Sequence, residues 1–140
     1  MPILAFIANK HNLNSIAALT GALEVDARTR TLPLRFLWQD ERLVPQLRAL
    51  GRETGCLIVA LSFATANLPE MAALIGELRE LEPEALLIAG GPHPSARAEE
   101  VLRLGVDAVV IGEGEETLPA LLERLLVGES VAGLPGVATL

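Results

Sequence analysis

The chain has few of the residues that define several classes of protein. It contains one cysteine, Cys56, so it can form neither an internal disulfide nor a cysteine-only metal site. Its 11 basic residues against 18 acidic ones give a formal net charge of −7, which argues against a nucleic-acid partner. No apolar run reaches the ~18 residues that a membrane span needs, and the N-terminus lacks the basic start of a signal peptide. We therefore expect a soluble cytoplasmic protein that binds neither nucleic acid nor membrane.

Aromatic side chains are scarce as well. Only 3% of the residues are aromatic although 51% are apolar, so the core must be built from leucine, valine, isoleucine and alanine. At 140 residues the chain fits one domain, which can bury roughly two-thirds of its unfolded surface. An aliphatic core in a domain of this size favours α/β packing.

Five short apolar runs alternate with segments that have helical spacing of leucines. The last three runs are nearly continuous in aliphatic residues, which is typical of strands covered on both faces of a parallel sheet. The runs are residues 3–8, 32–38, 57–63, 85–89 and 107–111. This order predicts one doubly wound, Rossmann- or flavodoxin-like α/β domain over residues 1–140, with a five-stranded parallel sheet in three αβα layers. The default strand order is 2-1-3-4-5.

Two boundaries are marked by proline and glycine. Pro45 cannot lie inside a helix, so the second helix is predicted to begin near Val44 and to end by Gly51. Residues 131–140 contain a Pro-Gly turn and are interpreted as a segment that exits the domain.

Ligands of open parallel sheets bind beyond the carboxyl ends of the strands. Of the segments that follow strands here, residues 9–15, 62–67, 90–93 and 112–115 are expected to converge on one cleft. Adjacent glycines such as Gly90 and Gly91 let a backbone approach a ligand closely, or simply permit a tight turn. Acidic residues before a helix, such as Glu113, can bind or can merely complement the helix dipole.

Three motifs in register with these strands form a longer pattern. They are IAGGPHPS at 88–95, GVD at 105–107 and GEGEETL at 112–118, with SFAT at 62–65 upstream and LPGV at 134–137 downstream. Together they resemble the N-terminal cobalamin (vitamin B12)-binding domain of cobalamin-dependent radical S-adenosylmethionine proteins. The resemblance is strong from about Leu57 to Val137 and weak before Leu57.

The resemblance implies a ligand and a set of contacts. Ser62 and Thr65 would contact the nucleotide tail of cobalamin, whose dimethylbenzimidazole enters a channel between strands and helices. The tail would pass close to the backbone of Gly90 and Gly91. The opposite wall would be lined by Gly112, Glu113 and Gly114. His93 would either lie at the active edge or cap a helix that starts at Pro94.

The resemblance also implies a catalytic partner. The iron–sulfur cluster of the radical family is held by a three-cysteine motif, which one cysteine cannot supply, so the cluster and S-adenosylmethionine would belong to a separate catalytic domain in cis or in trans. The chain is then not an enzyme alone, and we expect it to be a domain excised from a longer protein. Its role would be to position the corrinoid for that catalytic domain.

His11 is the candidate metal ligand. Cobalamin-dependent mutases and methyltransferases carry D-x-H-x-x-G after the first strand, and its histidine coordinates cobalt from below. Here His11 is in place, but Asn9 and Asn14 replace the aspartate and the glycine. Asn9 is a poorer partner for a metal-bound imidazole, so His11 is either a lower axial cobalt ligand or an exposed loop residue.

Three other classes of function are alternatives to this interpretation. Receiver modules need acidic residues at strand ends where this chain has Asn9, Ser62 and Gly90. Flavin carriers need a phosphate loop after the first strand, and residues 9–15 contain no glycine. The remaining alternative is an interaction or scaffold domain that keeps the cobalamin fold but has lost corrinoid binding.

Overall fold

The computed structural model describes residues 1–140, with six strands, six α-helices and one 3-10 turn. The strands are β1 (Ile3–Ala8), β2 (Leu34–Trp38), β3 (Leu57–Ser62), β4 (Leu86–Gly90), β5 (Ala108–Val110) and β6 (Val137–Ala138). The helices are α1 (Leu13–Val25), α2 (Leu43–Thr54), α3 (Leu68–Leu81), α4 (Pro92–Ala96), α5 (Ala98–Leu104) and α6 (Thr117–Leu126). The 3-10 turn, Thr65–Asn67, leads directly into α3.

All strands belong to one sheet in the order β2-β1-β3-β4-β5-β6, and the first five are parallel. The predicted fold class and the order of these five strands are confirmed. The number of strands was wrong by one, because β6 pairs antiparallel with β5 at the edge. β6 comes from the segment 131–140 that was interpreted only as an exit. Two residues are too few to show a periodic pattern, so the sequence could not predict this strand.

Helices cover both faces of the sheet. One face packs against α2, α3 and α5 and the other against α1 and α6. Alternation of side chains along β1 sends Leu4 and Phe6 into one core and Ala5 and Ile7 into the other. All six residues of β1 are buried, which explains why its sequence shows no polar alternation.

Two helix boundaries differ from the sequence predictions. α2 continues past Gly51 to Thr54 and is capped by Gly55, whose φ of 69° is left-handed and whose N–H donates to the carbonyl of Gly51. Pro45 lies in the first turn of α2, where its missing N–H leaves no helical hydrogen bond unmade. The helix expected to start at Pro94 begins at Pro92 and breaks at Arg97 into α4 and α5.

The aspartate of the GVD motif lies at the amino edge of the sheet. The Asp107 carboxylate accepts a hydrogen bond of 2.8 Å from the Leu87 N–H and pairs with the guanidinium of Arg79. Arg79 also donates to the carbonyls of Gly105 and Ala85, at 2.6 and 2.9 Å. This part of the motif therefore holds α3, β4 and β5 together.

None of the helices is both long and apolar enough to cross a membrane.

Truncation of Leu87 tests whether the doubly covered strands carry the stability. Leu87 is fully buried in β4, so Leu87→Ala should lower the free energy of unfolding by about 2–5 kcal/mol. Leu13→Ala is the matched control, because Leu13 is 49% exposed at the start of α1, and it should change stability by about 0.5 kcal/mol. Urea denaturation followed by circular dichroism measures both. Equal losses in the two variants would contradict this view of the core.

Candidate functional site

A cavity of about 380 Å³ opens at the carboxyl edge of the sheet, between the strand ends and helices α1 and α6. The four segments expected to converge all contribute to it, through Asn14, Ser15, Ser62, Gly90, Gly91, Gly112, Glu113, Gly114 and Glu115. Its deeper wall is apolar and includes Phe6, Ile16, Ala60, Ile88, Val110 and Leu118. The cavity is therefore a slot with an apolar interior and a polar, glycine-rich mouth.

Small residues at the ends of two neighbouring strands create the space. Ala60 and Ser62 point to this face of β3, and Ser62 is in register with Gly90 of β4. A Cβ at Gly90 would be 3.7 Å from its nearest neighbour, the carbonyl oxygen of Val110. The protein thus leaves room for a side chain at Gly90 and does not use it.

Gly91 is different, because the fold itself requires a glycine there. Its φ is 95°, and a Cβ would lie 2.9 Å from both the backbone nitrogen of Phe63 and Oγ of Ser62. The loop after β4 can approach the loop after β3 this closely only without a side chain. Gly91 therefore shapes the cavity whether or not a ligand touches it.

The opposite wall is the loop that follows β5. Gly112 has a φ of 79°, and its N–H donates a hydrogen bond of 2.9 Å to Oγ of Ser95 in α4. A Cβ at Gly114 would lie 2.9 Å from Cδ2 of Leu19, so this glycine lets α1 close over the loop. The carboxylates of Glu113 and Glu115 are exposed at the mouth of the cavity.

Thr65 and His93 do not line the cavity, although the resemblance implied contact with the ligand for Thr65 and an active-edge position for His93. The His93 ring is 5% exposed and stacks against Phe63 with ring centroids 5.9 Å apart, on the side of the sheet that packs against α3. Its Nδ1 lies 2.9 Å from Oγ1 of Thr65. His93 is also not an N-cap residue, since it lies within α4. The motif residues thus lie on two faces of one edge, with Gly90 and Gly91 at the cavity and Thr65 and His93 on the side toward α3.

His11 is exposed and lies outside the cavity. The side chain of Asn9 is fully used nearby, because its Oδ1 accepts the backbone N–H of His11 at 2.8 Å and its Nδ2 donates to Gln39 at 3.1 Å. No group of three or more metal-ligating side chains occurs in the structure. Asn9 therefore orders the loop after β1 and does not support the His11 ring.

Asn12 is the residue at this edge that the sequence analysis missed. It is 5% exposed, and its Nδ2 donates to the carbonyls of Ile7 and Ser62, at 3.0 and 3.2 Å. Asn12 thereby joins the loop after β1 to the end of β3, which carries Ser62 into the cavity. An asparagine four residues after the end of β1 was the available signal, since this residue type often bonds to nearby backbone.

The shifted pKa values belong to two exposed ion pairs outside the cavity. The pKa of Asp40, in the loop after β2, is lowered chiefly by a side-chain hydrogen bond from Arg42. A similar bond from Arg28 lowers the pKa of Asp26, after α1, to about 2. The only ionisable side chains that line the cavity are the two glutamates at its mouth, Glu113 and Glu115.

Comparisons with known proteins agree with this geometry. The family model described as "B12 binding domain" matches residues 6–122. Hopanoid C-3 methylase of Methylococcus capsulatus is 36% identical over 78 residues, which cover 54% of this chain and 15% of the methylase. Geranylgeranylglyceryl phosphate synthase of Spirosoma linguale is 31% identical over 116 residues, covering 76% of this chain and 45% of the synthase. The chain thus spans less than half the length of either relative.

Solved structures share the fold. The radical S-adenosylmethionine methyltransferase TsrM from Kitasatospora setae superposes with a TM-score of 0.71 at 22% identity, over 99% of this chain and 28% of TsrM. The receiver domain of RcsB from Escherichia coli gives 0.63 at 20% identity, over 93% of this chain and 97% of the receiver. At such identities the structural similarity establishes the architecture only, and an argument about the ligand has to come from the cavity.

Alanine at Gly91 tests the close approach of the two loops. Gly91→Ala should cost about 1–3 kcal/mol of stability, because it forces a side chain into a left-handed conformation against the backbone of Phe63. Gly76→Ala is the control, since Gly76 lies in α3 with open space around it, and it should stabilise by about 0.5–1 kcal/mol. Urea unfolding of both variants gives the result. A neutral Gly91→Ala would show that the loops can move apart freely.

Proposed function

The chain belongs to the B12 binding domain family, as its sequence motifs indicated, and we propose that it holds cobalamin for a radical S-adenosylmethionine catalytic domain. The nucleotide tail would occupy the cavity between the sheet and helices α1 and α6. The corrin ring would rest on the carboxyl edge, where it can face a partner domain. The observation that carries this proposal is the apolar slot beneath a glycine-rich mouth.

The chemistry of the slot suits such a tail. Its volume of about 380 Å³ lies within the range of ~300–1,000 Å³ that is usual for small-molecule sites. A dimethylbenzimidazole is flat and largely apolar, so the deeper wall of Phe6, Ile88 and Val110 can bury its ring carbons and methyl groups. The hydroxyls of Ser15 and Ser62, nearer the mouth, can donate hydrogen bonds to a ribose or a phosphate.

Six residues would contact the ligand in this arrangement. They are the cavity-lining members of the set expected from sequence, Ser62, Gly90, Gly91, Gly112, Glu113 and Gly114. The exposed carboxylate of Glu113 can accept hydrogen bonds from amide groups at the edge of a corrin ring. The cobalt's lower face would not be held by His11, which is exposed and does not line the cavity and whose neighbour Asn9 is already engaged.

The catalytic chemistry would reside outside these 140 residues. One cysteine cannot hold a four-iron cluster, so the cluster and S-adenosylmethionine belong to the partner domain, in cis or in trans. TsrM is a radical S-adenosylmethionine methyltransferase, and this chain matches 28% of it, which supports an arrangement in which residues 1–140 form one domain of a larger protein. The segment 131–140, which contains β6, would lead toward that domain.

Filling the slot should prevent cobalamin binding. Gly90→Leu places a side chain in the open space beside Val110, and we expect it to raise the Kd for hydroxocobalamin at least ~10-fold, about 1.4 kcal/mol. Gly76→Leu makes the same chemical change on the exposed side of α3 and should leave the Kd unchanged. Titration followed in the visible corrin bands measures both. If the unaltered protein binds no cobalamin, the domain serves as an interaction scaffold instead.

Removal of the His11 imidazole should have little effect. An exposed and uncoordinated side chain contributes less than ~0.5 kcal/mol, so His11→Ala should change the Kd by less than about threefold. The visible spectrum of the bound cobalamin should also stay the same, because the lower face of cobalt would lose no ligand. A large loss of affinity together with a spectral shift would identify His11 as the lower axial ligand.

A further inference from the structure

We propose that α4 is a bridge that holds the two walls of the cavity in place, with His93 fixing the loop after β3 and Ser95 fixing the loop after β5. Thr65, His93 and Ser95 are then positioning residues that act on ligand affinity without touching the ligand. This inference rests on the proposed function for its effect on cobalamin, but the bridge itself can be tested without any ligand.

Three contacts made by His93 hold the first wall, which is the loop after β3. The backbone N–H of His93 donates to the carbonyl of Phe63 at 3.2 Å, and the ring stacks on the Phe63 side chain. Nδ1 of the ring meets Oγ1 of Thr65 at 2.9 Å. Phe63 and Thr65 directly follow Ser62, so these contacts fix the segment that carries Ser62 into the cavity.

Glu100 lies beside the other nitrogen of the ring. Oε1 of Glu100 is 3.4 Å from Nε2, which is buried. Oε2 of the same carboxylate accepts a bond of 3.2 Å from Nε of Arg97. The ring is therefore flanked by the Thr65 hydroxyl at Nδ1 and by the Glu100 carboxylate at Nε2.

The grip on the second wall is a single hydrogen bond from backbone to side chain. Oγ of Ser95 accepts the N–H of Gly112 at 2.9 Å, and Ser95 is itself held in α4 by a bond of 3.0 Å to the carbonyl of Gly91. The backbone N–H of Ile111, one residue before Gly112, donates to the carbonyl of Gly136 at 2.8 Å. The loop after β5 is therefore tethered from α4 on one side and from the turn before β6 on the other.

The bridge explains why two residues of the GGPHPS motif lie near the site without lining it. Walls that are already in position need not be ordered when a ligand binds, and this lowers the cost of binding. Loss of either set of contacts should leave the ligand contacts intact, but the wall would then have to be ordered when the ligand binds, at a cost in binding free energy. The expected effect is therefore a moderate loss of affinity, and not its abolition.

The test compares variants that remove one hydrogen-bonding group each. Thr65→Val and Ser95→Ala should each raise the Kd for hydroxocobalamin about 3- to 10-fold, the range for one ordering hydrogen bond. Thr65→Ser and Ser95→Thr keep the hydroxyl and should restore affinity. Ser130→Ala is the matched control, because Oγ of Ser130 also accepts a backbone N–H, that of Ala132, but far from the cavity.

Amide hydrogen exchange of the ligand-free protein gives the second readout. In Ser95→Ala the amide of Gly112, whose N–H loses its acceptor, should exchange at least ~10-fold faster, while the global stability measured by urea changes little. In Ser130→Ala the amide of Gly112 should exchange as in the unaltered protein. Unchanged exchange in Ser95→Ala would overturn the bridge, whatever the protein binds.

The remaining outcomes separate the two proposals. If Gly90→Leu loses cobalamin but Thr65→Val and Ser95→Ala bind it normally, the bridge is wrong and the proposed function stands. If Thr65→Val abolishes binding while Ser95→Ala does not weaken it, Thr65 contacts the ligand directly and is not a positioning residue. If no form of the protein binds cobalamin but exchange responds as expected, the bridge stands and the proposed ligand is wrong.

Discussion

The central strands of this sheet have to bury both of their faces at once. In β1 every residue is buried, and its alternate side chains enter two separate cores, one against α1 and α6 and the other against α2, α3 and α5. Helices on both faces require crossover connections, and crossovers make neighbouring strands parallel. Parallel strands end at one edge, so every loop that follows β1 to β5 emerges there. The location of a binding site is thus a consequence of how the core is buried.

The cavity is a local exception to that burial. On the face toward α1 and α6, the last residues of β3 and β4 are small where a core strand would carry leucine or valine, and Gly90 has room for a side chain that it lacks. An apolar slot that is open to solvent exposes aliphatic surface to water, and a bulky apolar group that enters it would remove that surface from water. The close packing of Gly91 on Phe63 and the tether from Ser95 to Gly112 keep the slot from collapsing.

The sequence predicted the features that depend on long patterns and missed those that depend on single side chains. Continuous apolar runs sufficed for the parallel sheet and for the edge at which four loops meet. They could not indicate β6, which has two residues, or the break at Arg97. The position of His93 outside the cavity has a geometric reason. Ser62 continues the alternation of β3 into the cavity, Phe63 turns to the opposite face, and His93 stacks on Phe63.

The same architecture in the RcsB receiver domain, at a TM-score of 0.63, shows how little the fold alone decides. A receiver requires carboxylates at its strand ends, whereas this chain places Asn9, Ser62 and Gly90 there. Asn9 orders its own loop, and Ser62 and Gly90 are small, so the strand ends leave space in front of the sheet. Space for a bulky group, without acidic side chains on the strand ends, is the physical basis of the proposed ligand class.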